Sequence, residues 1–479
     1  MIQATDTLAQ AARGARTRPL PEPAVRAALA AIVDWSAVTV AGAAVAARPR
    51  PLPEPAVRAA LAAIVDWTAV TVAGAVAEPA ERLRTALLSG GGPCRLPGTT
   101  ATASAETAAL INGTAAHALE LDDIYAPGLY HPGAPTIAAA LAAADRLGAG
   151  GAELVRGVVI GYEVGNRVAS TLGAAHYRYW HNTGTAGAIA AAAAAAEILR
   201  LDAGPFAHAL ALAATTGAGL QQTFRSDSMG KPLHSGHAAQ VGTVAALAAS
   251  AGFTGTLSVL DGEIGMGVAM SDSPSWERAG APFGPDFLIE RTTVKPYPCC
   301  GHVFAAIDAA LELREAGVRA EDVARIEAES YSTALTVAGN PAPTTPFEAK
   351  FSLPFVVAHA LVHGEVATDA FTDDRLADER VGALMRSVAL RPAAEFDDAF
   401  PARRGARVTV VDRDGYPRSA IVPDRRGDPA NPVTPEQLDA KFRSLVKPVL
   451  GPARAAELQH GLWGLMDVAD VHTLPLGAE

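Results

Sequence analysis

Three cysteines, Cys94, Cys299 and Cys300, are too few and too badly placed for a disulfide framework, since two of them are neighbours that pair only under strain. The stapled secreted class is excluded, and a reducing, cytoplasmic setting is expected. Basic residues are also scarce, 39 against 50 acidic, for a formal charge of −11. That balance argues against broad contact with nucleic acid, which needs a basic face to neutralise phosphates, so no nucleic-acid partner is expected. Long apolar runs are missing too. The N-terminal MIQATDTLAQAARGARTRPL has no apolar core of a signal peptide, and the alanine run from Ala186 to Ala196 is too short and too weakly hydrophobic to span a bilayer. A soluble protein without a membrane partner is expected. Aromatic residues supply only 5% of the chain although 49% is hydrophobic. Helices that approach closely through alanine satisfy that balance, so the expected fold class is mainly α.

At 479 residues the chain exceeds what a single core accommodates, about 250–300 residues. Residues 18–43 recur at 50–75 with one difference, Ser36 against Thr68. Such near-identity is a tandem duplication of one helix rather than the divergent repetition of a solenoid. The second copy runs directly into AEPAERLRTALLSGG and takes the integral position; the first is expected as a displaced or poorly ordered extension. Helical periodicity then covers 106–120, 135–147, 152–172, 186–200, 205–217 and 237–251. After about Lys295 alternating runs appear: ARIEAES at 324–330, and RVTVVD and YPRSAIV around an Asp-Gly turn at 413–415. Thr434 and Gln437 form a capping box that opens the last helices, 434–449 and 452–469. The division read from these patterns is an extension at 1–49, a helical domain at 50–294, an α+β unit at 295–425, and helices at 426–479 that return to the helical domain.

Chemistry concentrates in His117 to Leu141, which holds His117, Glu120, Asp122, Asp123 and His131 just ahead of an alanine-rich helix. A histidine tuned by a neighbouring carboxylate serves as an acid or base near neutral pH; the plainer interpretation is a solvated loop with capping aspartates. His181 repeats the placement of His131 before another small-residue helix, where an anion is favoured, or else lies on the surface. GKPLHSGHAAQ brings Lys231, His234 and His237; neither HExxH nor a Cys/His ligand set accompanies them, so no metal is assigned. TVKPYPCCGH brings Lys295, Cys299, Cys300 and His302, with the cysteines wrongly spaced for an iron–sulfur cluster and no acyl-transfer signature for a nucleophile. Arg225, with Asp227 and Ser228, adds either a guanidinium for a carboxylate or a solvated loop. EAKFSLPF reads as a packed helix carrying Glu348, Lys350 and Ser352.

Taken together, HALELDD with HPGAP, GYEVGNRVA, KPLHSGHAA, GFTGTLSVLDGEIG, KPYPCCGH and EAKFS resemble the MmgE/PrpD family, which includes 2-methylcitrate dehydratases and cis-aconitate decarboxylases. The resemblance runs from the second repeat copy to the C-terminal helices. It implies a large all-helical domain built from both ends of the chain, a smaller inserted α+β lid domain, and a homodimer. It also implies cofactor-free and metal-free lyase chemistry on a small polycarboxylate in the cleft between the domains. The matching active-site positions are His131, His181, Lys231 and Lys295, with Asp122 and Asp123 lining the same pocket; His234, Cys300, His302 and Arg225 stand as further substrate-binding candidates. Two departures count against cis-aconitate decarboxylation: family decarboxylases resemble this chain with a histidine at Cys300 and a threonine at Ile124.

Dehydration of a hydroxy acid needs a base for the α proton, an acid for the departing hydroxyl, and cations for the enolate-like charge. His131 and His181 take the first two roles in an order the sequence leaves open, and Lys231 and Lys295 clamp carboxylates. A hydro-lyase on a hydroxy di- or tricarboxylate of the 2-methylcitrate type is the leading expectation. Decarboxylation or epimerisation on the same groups is the alternative, and a catalytically silent scaffold is the reading from outside the enzymes.

Overall fold

The structure, a computed structural model, describes residues 36–478 apart from 49, 227, 273, 275 and 278. It is mainly α. The helices that position the site are α1 (Ser36–Ala46), α2 (Glu54–Gly74), α3 (Glu78–Leu87), α4 (Ala105–Ala118), α5 (Gly133–Leu147), α6 (Gly151–Tyr177), α7 (Asn182–Ile198), α8 (Ala203–Thr216) and α9 (Gly230–Ser250). Alanine dictates how they pack. Every residue of α7 is buried, and α5, α6, α8 and α9 all lie against it. Small side chains let these axes approach, so a core poor in aromatics is still dry.

Most of the first repeat copy, with the expectation of a displaced or poorly ordered extension, lies outside the described residues. Its end is described: Ser36–Ala46 forms α1, which packs on α8 with Ala37, Val40, Ala41 and Ala44 buried. The corresponding end of the second copy, residues 68–75, closes α2 instead. That helix is surrounded by α4, α6 and two C-terminal helices, α12 (Pro435–Leu450) and α13 (Pro452–Trp463). Among the described residues α2 is also the one helix long and apolar enough to cross a membrane, with 67% of its apolar window buried inside the protein.

The buried positions of α2 include Asp66, whose carboxylate meets Lys441 of α12 at 2.5 Å. The Lys441 ammonium also donates to the backbone oxygens of Leu121, at 2.9 Å, and Lys295, at 2.8 Å. One side chain therefore ties the C-terminal helices to two segments that carry site residues. Lys441→Met strands the Asp66 carboxylate in the core and is expected to destabilise by about 3–5 kcal/mol. Thermal unfolding checks it: the midpoint should fall steeply in the single variant and recover in part in Asp66→Asn/Lys441→Met.

Between α9 and α12 the chain builds a second core, running from Tyr297 to Val422 and separate from the helical one. Its helices α10 (Phe304–Glu315) and α11 (Leu353–His363) cover a four-stranded sheet. The strands are β3 (Val323–Ser330), β4 (Val388–Pro392), β5 (Ala406–Asp412) and β6 (Pro417–Val422), in the order β4-β3-β5-β6; a two-stranded ribbon, β1 (Cys94–Arg95) and β2 (Thr102–Ala103), belongs to the helical part. β5 and β6 form the expected hairpin, with Gly415 at φ +88° in its turn. β4 pairs parallel to β3 at the sheet edge and has no fully buried residue, so it left no apolar signal in the sequence. The chain crosses between the two parts near 293–295 and 425–428, and these crossings bond to each other. Val294 N–H donates to Gly427 O at 3.0 Å, and Gly427 has φ +94° with no room for a side chain, because a Cβ would stand 2.0 Å from Val294 O.

Three expected boundaries move. α9 begins at Gly230 rather than 237, so Lys231, His234 and His237 lie on the helix. Pro232 is tolerated there in the first turn. Gly236 serves helix contact rather than a loop, since a Cβ would meet Leu110 O of α4 at 2.2 Å. EAKFSLPF is not one helix: Ser352 caps α11 by accepting from Phe355 N–H at 3.2 Å, and Glu348 belongs to the preceding turn Pro346–Ala349. The last helix stops at Trp463 rather than 469.

Candidate active site

α4 ends at Ala118, and the chain passes through Glu120 in a left-handed conformation, φ 59°, before turning into Asp122 and Asp123. A non-glycine residue held this way costs energy and persists where the surroundings enforce it. Here they do. Lys295, 2% exposed, donates its ammonium to Glu120 O at 2.8 Å and lies 3.3 Å from Glu120 Oε2. Lys231, from the first turn of α9, contacts the other carboxylate oxygen, and Lys350 reaches Leu119 O at 3.5 Å. Two lysines thus grip a single carboxylate at the seam between the helical part and the α+β part, against burial that pulls the pKa of both ammonium groups down, that of Lys231 the further.

The second half of the site is a knot of imidazoles. His117 at the end of α4 bonds Asp122 Oδ2 through Nδ1 at 2.7 Å, and His131 Nδ1 stands 3.2 Å from the same oxygen. His131 reaches this place because its backbone N–H donates to Thr183 Oγ1 at 3.1 Å, which ties the start of α5 to the start of α7. His181, the residue before α7, lies with its ring centroid 5.8 Å from that of His117, and its Nδ1 is 3.2 Å from Nδ1 of His234. Phe224 closes one side, with its ring edge-on to His181 and its face 5.7 Å from the Lys231 ammonium.

Electrostatics separate these groups. Burial works against a charged Asp122, but His117 and His131 outweigh it and hold this carboxyl well below the usual range, so it remains an anion. Burial pushes His117 down to about 3, against the pull of Asp122. Burial, reinforced by His117, His131 and His234, drives His181 far below its ordinary value and keeps it neutral. The site therefore contains a fixed anion shared by two imidazoles and a separate neutral imidazole without its own carboxylate.

The two aspartates do not share a pocket. Asp123 turns the other way, accepting from Tyr162 OH at 2.7 Å and Gly133 N–H at 2.8 Å, where it holds the first residue of α5. Its expected place beside Asp122 in the pocket is corrected by these partners, because the chain bends at Asp122 and sends the two side chains to different neighbours. Burial, against those hydrogen bonds, raises the Asp123 pKa from 3.8 to about 7. The folded chain consequently retains a proton that the unfolded chain releases above about pH 4, and this contribution to stability is lost as pH rises toward 7. Asp123→Asn is expected to gain on the native protein by about 4 kcal/mol in total between pH 4 and 7, with no further gain above. Paired melting curves across that range check it, and a difference that does not vary with pH counts against it.

Arg225 is exposed at the end of Gln221–Arg225, and among the described residues no ion pair or hydrogen bond links it to this cluster. Asp227 lies outside the described residues. Cys300 sits between Lys231, Lys295 and the α+β part, with its thiol raised by burial; the adjacent Cys299 is raised the same way. Raised thiols are poor nucleophiles, and His302 Nδ1 is engaged with Tyr331 OH at 2.7 Å. His117, Asp122 and His131 are also the one group among the described residues with atoms close enough to hold a metal ion. Ligands of a tetrahedral zinc stand roughly 3.3 Å apart given metal–nitrogen bonds near 2.0–2.1 Å. The 2.7 Å contact between His117 and Asp122 is instead the length of a charge-assisted hydrogen bond.

Glu120 is the contact residue that sequence reasoning passed over. It stood in the densest stretch, but nothing in the sequence singles it from Asp122 and Asp123 as the carboxylate that turns to the lysines. Phe224 left no signal beyond a lone aromatic in a polar loop.

Comparison with known proteins accords with this architecture. The MmgE/PrpD N-terminal domain matches residues 43–279 and the MmgE/PrpD C-terminal domain residues 297–464. The cis-aconitate decarboxylase-like protein oryM of Aspergillus oryzae is 27% identical over 410 residues, 80% of this chain and 84% of the relative. Human cis-aconitate decarboxylase is 27% identical over 389 residues, 77% of this chain and 78% of the relative, and the mouse enzyme 25% over 361 residues, 70% and 71%. With both domains matched along most of its length, and the site formed where they meet, the chain belongs to the MmgE/PrpD family.

Proposed function

We propose that the protein is a metal-independent lyase that removes water from a small hydroxy di- or tricarboxylate of the 2-methylcitrate type. The observation that carries this is the carboxylate of Glu120 held between Lys231 and Lys295 beside the imidazole knot. A substrate carboxylate takes the place Glu120 now fills, while Lys295 keeps hold of Glu120 through its backbone oxygen. The neutral His181 removes the α proton. His131, 3.2 Å from the Asp122 carboxylate, gives a proton to the departing hydroxyl, which leaves as water. The lysines hold the enolate-like charge between these events, in a buried setting where a fixed cation acts strongly.

Elimination of water uses an acid and a base on separate groups, and the site offers both. Loss of carbon dioxide needs only the cations and a proton delivered to carbon. The names of the relatives favour that second reading; Cys300 and Ile124, where the family's decarboxylases resemble one another with histidine and threonine, favour the first. Incubating the chelator-treated protein with 2-methylcitrate and with cis-aconitate separates them. Formation of an alkene with loss of hydroxyl supports the hydro-lyase, release of carbon dioxide the carboxy-lyase, and loss of activity on chelation contradicts metal independence. A homodimer is part of the proposal, supported by the exposed Leu233, Val244, Phe253, Ile264 and Val268 around α9 and the following loop. Sedimentation at micromolar concentration tests it.

A further inference from the structure

A second set of cations lies on the α+β side of Cys300. Arg404 is 9% exposed, its Nε has no hydrogen-bond partner, and among the described residues it makes no ion pair. Arg425 is fully buried. Its Nε reaches Asp428 at 2.9 Å and its Nη1 donates to Gly301 O at 2.6 Å, but Nη2 is left without a partner. Asp428 is already shared, since it also accepts from Thr293 Oγ1 at 2.5 Å. The remaining nearby carboxylate, Asp308, is occupied by Tyr297 at 2.6 Å and by Arg426 at 3.5 Å. Three guanidinium groups therefore face two carboxylates, and one buried positive charge is left over. Burying a cation without an anion is costly enough that such a group normally has one.

The position of this charge identifies the anion. Arg425 bonds the backbone of Gly301, the residue after Cys300, at 2.6 Å, and Cys300 stands within electrostatic reach of Lys231, Lys295, Arg404 and Arg425 alike. Tyr177 of the helical part lies within reach of both Cys300 and Arg404, which places Arg404 at the seam. The Arg404 guanidinium is 5.8 Å from the Phe400 ring, Phe400 stacks on Tyr331 at 4.5 Å, and Tyr331 bonds His302. These aromatic contacts hold the fork in place without using its donors.

We propose that Arg404, assisted by Arg425, is a second anion subsite that receives a further carboxylate of the substrate whose first carboxylate lies between Lys231 and Lys295. A planar guanidinium with free donors matches a carboxylate in two hydrogen bonds. The inference rests on the polycarboxylate reading above and adds which groups receive the second carboxylate, in the other half of the protein from Lys231.

The test is binding to the full-length protein of two unreactive probes, tricarballylate with three carboxylates and butyrate with one, by ligand-observed NMR titration. Arg404→Gln should weaken tricarballylate roughly 10- to 100-fold and change butyrate less than about twofold, because butyrate needs only the lysine pair. Arg404→Lys retains the charge without the fork and should lose affinity for tricarballylate to an intermediate degree, which keeps the test open where the glutamine variant fails to fold. Equal loss for both probes, or unchanged affinity for both, overturns the subsite while leaving the polycarboxylate reading intact. A native protein that binds neither probe overturns that reading and the subsite with it.

Discussion

Lys231→Ala should lower kcat/KM roughly 100- to 1000-fold, with kcat reduced and KM for the polycarboxylate raised, since one group both holds a carboxylate and stabilises the charge that develops on it. The structure makes this expectation specific. Lys231 emerges from the first turn of α9 and, with Lys295, already grips the Glu120 carboxylate. Removing it leaves Lys295 alone to serve both the internal carboxylate and the substrate. The change is not expected to unfold the chain, because α9 packs on α4 and α7 through other residues, Ala238, Ala239 and Ala246 among them, which are buried. An unchanged melting temperature with lost turnover is the expected pair of results. Full turnover in the variant would instead contradict the role given to the lysine.

The second large effect falls on Asp122. Asp122→Asn keeps the shape and removes the charge that both His117 and His131 face, at 2.7 and 3.2 Å. Both imidazoles then lose that anion, and the asparagine amide competes for the nitrogens that the carboxylate oriented. Proton transfer by a positioned side chain contributes roughly 100- to 10,000-fold, so kcat should fall within that range. KM should change little, because neither lysine touches Asp122. That division between kcat and KM distinguishes an orienting role from a binding one. Steady-state kinetics on the variant and on Lys231→Ala, measured side by side, should show KM raised only in the lysine variant.

Where these residues sit was legible in part. The histidines stood out because each precedes a helix of small residues, and the structure places His131 and His181 at the starts of α5 and α7. The mainly α class followed from alanine and the scarcity of aromatics. The β5–β6 hairpin followed from Asp-Gly between alternating runs. What stayed hidden depends on direction and on distant partners. Adjacent aspartates look alike in sequence, yet Asp122 faces the imidazoles and Asp123 faces Tyr162. Glu120 owes its role to a left-handed backbone conformation that no side chain announces. Gly236 is the point where α4 and α9 touch, a contact that depends on a partner helix more than a hundred residues earlier in the chain. Arg404, in the run RRG, reads as surface charge and is buried. Repeated sequence is the sharpest case: the shared end of the repeat lies against α8 in one copy and, as the end of α2, against α4 in the other, because the flanking chain decides which surface it reaches.

The most direct measurement is a proton NMR time course of the chelator-treated protein with 2-methylcitrate, run alongside Lys231→Ala and Asp122→Asn. Loss of the hydroxy acid with appearance of an alkene signal in the native protein, and its near absence in both variants, is the predicted result. A native protein that leaves 2-methylcitrate and cis-aconitate unchanged, or variants that turn over as fast as the native chain, would contradict a lyase built from Lys231, Lys295 and the imidazoles around Asp122.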